Sequence, residues 1–201
     1  MPPGQEDVRR RPPSSLILRR YNGPATFREG QVLAQRRFHY EQAFEHYLRA
    51  NGIPYVAVDE AKRALAGRNL PVALKSFDFV VYSERGANLL IDVKGRKHAG
   101  RSGRSLQNWV TRDDVRSLEQ WAGIFGEGFR PAFAFLFWCE AQPPDALFHE
   151  IFEFGERWYA VQAVRLKDYT PHMRKRSAKW DTLSVPAKAF DQIARPLKEL
   201  L

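Results

Sequence analysis

Two aspartates and a lysine lie in two apolar segments that a short turn separates. Segments 77–82 and 88–93 are rich in apolar and β-branched residues, and the five residues between them predict a hairpin turn. If the turn is centred symmetrically, Asp78 and Asp92 face each other, with Cβ atoms roughly 4.5–5.5 Å apart. Because side chains alternate along a strand, Lys94 then shares the face of Asp92. The spacing therefore predicts that the three polar groups converge.

Two carboxylates this close in apolar surroundings repel each other, so one must bind a proton or a cation must lie between them. Mg²⁺ suits such a pair because it uses one or two carboxylates and keeps several waters. Those waters supply a nucleophile, and the ion offsets charge developing on a phosphate. We expect the ion and burial to lower the pKa of Lys94, which would then orient or deprotonate the water. The alternative is an ordinary ion pair of Lys94 with either aspartate.

The elements around this hairpin mix helices and strands. Hydrophobic spacing and turn residues predict, in chain order, helix 31–50, strand 53–58, the hairpin, a basic loop 95–108, helix 111–125, strand 132–139, a second hairpin with strands 148–154 and 157–164, an irregular segment 165–186 and helix 186–200. Hairpins combined with a helical crossover predict an α/β fold with a mixed sheet and helices on its faces. We expect a basic Pro/Arg-rich tail over 1–30, one domain over 31–164, and a basic extension over 165–201 packed on it.

The motif resembles that of the PD-(D/E)XK nuclease superfamily. Phe77-Asp78, thirteen further residues and Asp92-Val93-Lys94 follow its pattern, except that Phe77 stands where proline is usual. The resemblance implies a restriction-endonuclease-like αβββαβ core that hydrolyses DNA with Mg²⁺ or Mn²⁺. It also implies Asp78, Asp92 and the Val93 carbonyl as metal ligands, with Lys94 positioning or activating the nucleophile.

The segment from Tyr40 to Ile53 resembles the first helix of archaeal Holliday junction resolvases. The resemblance places the family's helix glutamate, which acts through a metal-bound water, on Glu41. Because resolvases of similar fold act as dimers, the resemblance is also compatible with a homodimer. The string His39-Tyr40-Glu41-Gln42-Ala43-Phe44-Glu45 also resembles the signature of the uncharacterised bacterial HYExAFE proteins. Glu45 shares a helix face with Glu41 and is a second candidate, and Gln120 occupies a helix position where related nucleases place a supporting glutamine.

Composition favours a nucleic-acid partner. The 201 residues have a formal net charge of +9, a sequence pI of about 9.9 and a hydrophobic fraction of 44%, which is enough for one core. Cations near the motif predict a phosphate-binding groove, whose members are Lys75, Arg96, Lys97, Arg101 and Arg104. No apolar run is long enough for a signal peptide or a membrane span, so we expect a cytoplasmic, nucleoid-associated bacterial protein.

These features predict an endonuclease or exonuclease acting on DNA in repair, recombination or defence. Two alternatives stay open. One is a nucleic-acid-binding protein that keeps the fold without cutting, and the other is a protein that binds proteins or lipids through its aromatic and basic surface.

Overall fold

A six-stranded mixed sheet forms the centre of the protein. The computed structural model describes residues 32–58, 74–98, 106–140, 148 and 150–201, so the predicted tail 1–30 lies outside the described residues. In chain order the elements are α1 (Val32–Ala50), β1 (Tyr55–Ala57), β2 (Phe79–Val81), β3 (Asn88–His98), β4 (Val110–Thr111), α2 (Arg112–Phe125), β5 (Phe129–Cys139), β6 (Ile151–Phe154), β7 (Arg157–Arg165), α3 (Leu166–Tyr169), β8 (Arg174–Ser177), β9 (Thr182–Ser184) and α4 (Ala187–Ile193), with 3₁₀ turns at Thr170–His172 and Leu197–Glu199.

The main sheet has the strand order β1-β2-β3-β5-β7-β6. Strand β3 runs parallel to β5, and α2 connects them, whereas all other neighbours in this sheet are antiparallel. One face of the sheet packs with Phe44 and Leu48 of α1. The other face packs with Val115 and Leu118 of α2. The prediction of a mixed α/β sheet with helices on both faces, in the order αβββαβ, is therefore confirmed. No helix within the described ranges is long and apolar enough to cross a membrane.

The hairpin of β2 and β3 has the predicted register. Phe79 lies opposite Ile91 and Val81 lies opposite Leu89. The turn is fixed by Ser83, whose hydroxyl accepts a hydrogen bond of 2.8 Å from the backbone N–H of Gly86. A short turn between strong strand-forming segments leaves little freedom for another register, because a slip by one residue would turn every side chain to the opposite face of the sheet.

Strand β3 is longer than the sequence predicted. Residues 95–98 were expected in a loop, but β3 continues to His98, which pairs with Cys139 of β5. The prediction missed this because the polar residues of the strand end hide the alternation. The backbone hydrogen bonds to the long, apolar β5 fix the strand instead.

The C-terminal part differs from its prediction in two ways. Residues 165–186 are not irregular: they contain α3, a 3₁₀ turn, and strands β8 and β9, which form a second sheet of order β4-β9-β8. The last helix ends at Ile193 and does not reach Leu200. Ala194 has a ψ of 138°, and Arg195 bridges to Ala163. Pro196 explains the early end, because the residue before a proline disfavours helical backbone.

Candidate active site

Asp78 and Asp92 lie at the open end of the β2–β3 hairpin. Asp78 precedes β2, where its backbone N–H donates to the Ile91 carbonyl at 2.8 Å. Its side-chain Oδ2 accepts a 2.6 Å hydrogen bond from the backbone N–H of Val93. Asp92 is in the middle of β3 and only 6% exposed. The hairpin thus brings Asp78 and Asp92 to neighbouring positions on adjacent segments of the chain, as the spacing predicted.

The two carboxylates are in an environment that resists ionisation. Burial and then the charge of Asp92 raise the pKa of Asp78 well above its usual range, and Glu41 adds to the rise. The hydrogen bond from Val93 opposes it only in part. Burial also raises the pKa of Asp92, although the Lys94 ammonium counteracts this. A nearby cation would relieve this electrostatic cost.

Lys94 lies between two carboxylates. Its Nζ is 2.8 Å from Asp92 Oδ2 and 3.1 Å from Asp114 Oδ2, and its side chain is 12% exposed. Burial opposes the charge of Lys94, but its two ion pairs outweigh burial and raise its pKa. The direction is the opposite of the one expected beside a bound ion, because a second carboxylate, that of Asp114, also pairs with Lys94. The lowered pKa expected with the ion in place stays a prediction. Lys94 is held as an ammonium ion.

Asp114 is the site residue that the sequence analysis missed. It is 4% exposed and lies in the first turn of α2, where Thr111 and Asp114 cap the helix through reciprocal hydrogen bonds. Its carboxylate accepts from the Thr111 backbone N–H at 2.7 Å and also pairs with Lys75. Burial opposes ionisation, but Lys94, Lys75 and Thr111 together lower the pKa of Asp114 to about 2. The available signal was the Thr-x-x-acid pattern at 111–114, which marks a helix start.

Helix α1 brings Glu41 toward this site through close packing on β3. The ring of Tyr40 lies directly on Gly95, the residue after Lys94. Glu41 is half-buried, and its charge is near enough to raise the pKa of Asp78. The glycine at this position of β3 is what lets the helix approach, and the action of Glu41 through a metal-bound water stays a prediction.

We expect Gly95→Ala to destabilise the protein by about 1–3 kcal/mol, the usual cost of overpacking a core. A Cβ at this position would lie 2.1 Å from Tyr40 Cδ2 and 2.3 Å from its Cγ. Urea unfolding would measure the change. The matched control is Gly123→Ala in α2, where a Cβ meets nothing within 4 Å and helix propensity improves. A Gly95→Ala protein as stable as the wild type would contradict this packing.

Two weaker candidates point away from the aspartates. Glu45 accepts a 2.7 Å hydrogen bond from the Tyr55 hydroxyl and pairs with Arg49 at 2.6 Å. Gln120 is exposed on α2, whose buried side presents Asp114 and Trp121. The side chain that the helix after the motif brings to Lys94 is therefore the acid Asp114 in its first turn, and functional roles for Glu45 and Gln120 stay predictions.

The predicted cations have different surroundings. Arg96 is only 8% exposed: its guanidinium carbon lies 3.9 Å from the centre of the Trp109 ring, so it is not on the exposed surface where we expected it. Burial lowers its pKa to about 10. Lys75 and Lys97 have side chains that are 42% and 54% exposed, with Asp114 and Glu140 as their partners. The other two predicted cations, Arg101 and Arg104, lie outside the described residues.

The donor set can be compared with what a divalent ion requires. In the part of the chain that the structure describes, no three His, Cys, Asp or Glu side chains are grouped so as to hold a metal ion. The candidate ligands are instead two carboxylates, Asp78 and Asp92, with the Val93 carbonyl beside them. This set suits Mg²⁺, which typically takes one or two protein carboxylates and completes its shell with water. The raised pKa of both acids is the further sign that a cation fits here.

The comparison with solved structures finds several similar chains. The chain is similar to Hjc, a Holliday junction resolvase from the archaeal hyperthermophile Archaeoglobus fulgidus, with a TM-score of 0.46, 16% sequence identity, and coverage of 80% of this chain and 96% of that one. No family model matches the sequence, and no curated protein matches it either.

Proposed function

We propose that the chain is a metal-dependent nuclease that hydrolyses phosphodiester bonds in DNA. The observation that supports this most directly is the convergence of two buried carboxylates with a lysine ammonium, 2.8 Å from Asp92, at the end of one hairpin. Such a cluster is costly for folding, since each buried acid must be desolvated beside another. Residues kept at such a cost are commonly functional. The excess positive charge of +9 suits a polyanionic substrate.

Each residue then has a distinct role. Asp78, Asp92 and the Val93 carbonyl would hold Mg²⁺ or Mn²⁺, and Glu41 would contact it through water. When bound, the ion supplies an activated water and offsets charge on the phosphate. Desolvation of the two aspartates makes them strong ligands, because no competing water shell has to be removed from them first.

Lys94 is better suited to hold charge than to accept a proton. Its ion pair with Asp114 would keep it an ammonium even when the carboxylate of Asp92 binds a cation. An ammonium can donate hydrogen bonds to the scissile phosphate or to the attacking water, and it stabilises negative charge as this develops. We therefore assign Lys94 to positioning and electrostatic stabilisation, with Asp114 as the residue that positions it.

A non-cleaving DNA-binding protein on the same fold is the second candidate. The observation in its favour is that Lys94 is already paired on both sides, as in a purely structural ion-pair network. Thermal unfolding with added Mn²⁺ distinguishes the nuclease from the non-cleaving protein. If Mn²⁺ stabilises the wild type and this stabilisation is lost in Asp92→Ala, the result supports the nuclease.

The direct test is cleavage by Lys94→Ala and Asp92→Ala on a panel of plasmid, single strand, flap and four-way junction. Asp92→Ala should lose both metal-induced stabilisation and cleavage, because the ion loses an anionic ligand. Lys94→Ala should keep metal and DNA binding while cleavage falls by about 10²–10³-fold, the size seen when one electrostatic donor is removed.

Folding of both variants has to be checked independently, since each leaves a buried charge without its partner. Lys198→Ala, an exposed lysine near the C-terminus, is the matched control and should cleave like the wild type. Equal cleavage by all four proteins would show that any activity comes from another site or from a contaminant.

A further inference from the structure

The hairpin of β8 and β9 presents an exposed tryptophan among cations. Trp180, at the turn, is 69% exposed, the largest value among the exposed large hydrophobic residues of the described chain. Four cations on the same hairpin are exposed as well: Arg174, Lys175, Arg176 and Lys179. Lys179 Nζ is 5.4 Å from the centre of the Trp180 ring. Its nearest neighbours in sequence, Ser177 to Lys179, do not form an apolar patch around it, so the exposed ring stands among polar and charged groups.

The turn that carries Trp180 is held in place by α2. Asp181 is the only acid between residues 174 and 184. Its backbone carbonyl accepts a 3.0 Å hydrogen bond from the Arg112 N–H, and its carboxylate pairs with Arg112 at 3.2 Å. The ion pair with Arg112 compensates the carboxylate of Asp181, the one negative charge of the hairpin. The rest of the hairpin surface is cationic, and Trp180 lies on a turn that these contacts attach to α2.

The same hairpin is connected to the candidate active site by a short series of contacts. Thr182 of β9 pairs with Thr111 of β4. Thr111 caps α2 through Asp114, whose carboxylate is 3.1 Å from Lys94. A second connection runs through Trp109, which Arg176 approaches from the hairpin at 5.5 Å and Arg96 from β3 at 3.9 Å. The hairpin is therefore in direct contact with Thr111, the residue that caps α2 together with Asp114.

We propose that the β8–β9 hairpin binds unpaired nucleotides, with the Trp180 ring stacking on a base and the cations contacting the phosphates. The proposal deepens the proposed nuclease function, on which it rests, by naming a substrate that contains single-stranded DNA. Stacking requires a base that is free of its neighbours, which a continuous duplex does not offer. Exposed cations that precede an exposed aromatic ring on one hairpin match a charged backbone that carries flat bases.

The experiment compares binding of a fluorescein-labelled single strand and the matching duplex in EDTA, so that cleavage cannot occur. Trp180→Ala should weaken single-strand binding by about 5- to 150-fold, the effect of losing one stacked base. Duplex binding should change by less than about threefold, since phosphate contacts remain. Trp180→Phe should retain most of the affinity. The matched control is Tyr82→Ala, an aromatic residue 41% exposed elsewhere on the surface, which should bind like the wild type.

Charge variants test the phosphate contacts. Lys175→Gln combined with Lys179→Gln should lower the slope of log affinity against log salt by about 1–2 for a single strand, because fewer counterions are released. Lys188→Gln combined with Lys198→Gln, two exposed lysines outside the hairpin, is the control and should leave the slope unchanged.

The outcomes separate this proposal from the nuclease proposal. Unchanged single-strand affinity in Trp180→Ala, or equal losses on single strand and duplex, would overturn the stacking role. Binding to phosphatidylserine vesicles that depends on Trp180, with no preference for single strands, would assign the hairpin to a membrane surface instead. Cleavage that is lost in Asp92→Ala but unchanged in Trp180→Ala would support the nuclease proposal and contradict the hairpin proposal. Single-strand binding that depends on Trp180, with no cleavage of any substrate, would support the hairpin proposal and contradict the nuclease proposal.

Discussion

Asp78→Asn is expected to lower DNA cleavage by about 10³-fold or more, which corresponds to losing several kcal/mol of metal-ion stabilisation. The same substitution should raise the free energy of unfolding in EDTA by roughly 0.5–2 kcal/mol, the usual gain from one stabilising substitution. Burial and the charge of Asp92 raise the pKa of Asp78, so its ionised form destabilises the fold at neutral pH. Asparagine keeps the size and can still accept the 2.6 Å hydrogen bond from Val93.

Urea unfolding in EDTA and Mn²⁺ titrations followed by thermal unfolding would measure both effects. Asp113→Asn is the matched control, because Asp113 is a nearby acid whose side chain is 76% exposed, and it should affect neither property. If Asp78→Asn were less stable than the wild type in EDTA and still responded to Mn²⁺, the aspartate pair would be a structural feature and not a metal site.

Asp114→Ala is expected to destabilise the protein by about 3–5 kcal/mol, the cost of leaving a buried cation without its partner. The substitution removes the 3.1 Å ion pair with Lys94 and the contact with Lys75. It also removes the carboxylate that caps α2 through the Thr111 N–H. Asp113→Ala, one residue away and exposed, should cost less than about 1 kcal/mol. Urea unfolding at neutral pH would measure the difference between the two variants.

The pH dependence of Asp114 gives a second measurement. Its pKa is lowered to about 2, so its contribution to stability is present above the ordinary aspartate range near 4 and is lost as the pH falls toward 2. The wild type and Asp114→Asn should therefore differ most near neutral pH and converge at about pH 2. A difference that stayed constant from pH 7 to pH 2 would show that the charge of Asp114 does not stabilise the fold.

Asp114 and Asp78 carry the same side chain in opposite electrostatic surroundings. Asp114 receives two cations and a backbone N–H, so its charge is compensated within the fold. Asp78 receives one backbone N–H and faces further carboxylates, so its charge is left for something outside the chain to offset. The contrast supports a metal role for the Asp78 end of the cluster and a positioning role for Asp114.

The hairpin, its register and the shared position of the two aspartates and Lys94 could be predicted from the sequence. These features depend on contacts between residues close along the chain, so alternation and turn length determine them. The long helix α1 with Glu41 and the helix α2 were also predicted from hydrophobic periodicity, which is strong where one face of a helix meets the core. The buried strand β5 was predicted from its continuous apolar run, which reflects burial on both faces of the sheet.

Only the tertiary structure decided which second carboxylate meets Lys94. Asp114 is twenty residues further along the chain, and its approach depends on how α2 packs against β3. Likewise, Arg96 was expected on an exposed loop because it comes soon after Lys94 in the sequence. The continuation of β3 buries it against Trp109 instead. The second sheet was missed because β4 and β9 are too short to show periodicity and pair across about seventy residues. Long-range pairing of short polar strands has no local signature, and here it sets what surrounds the site.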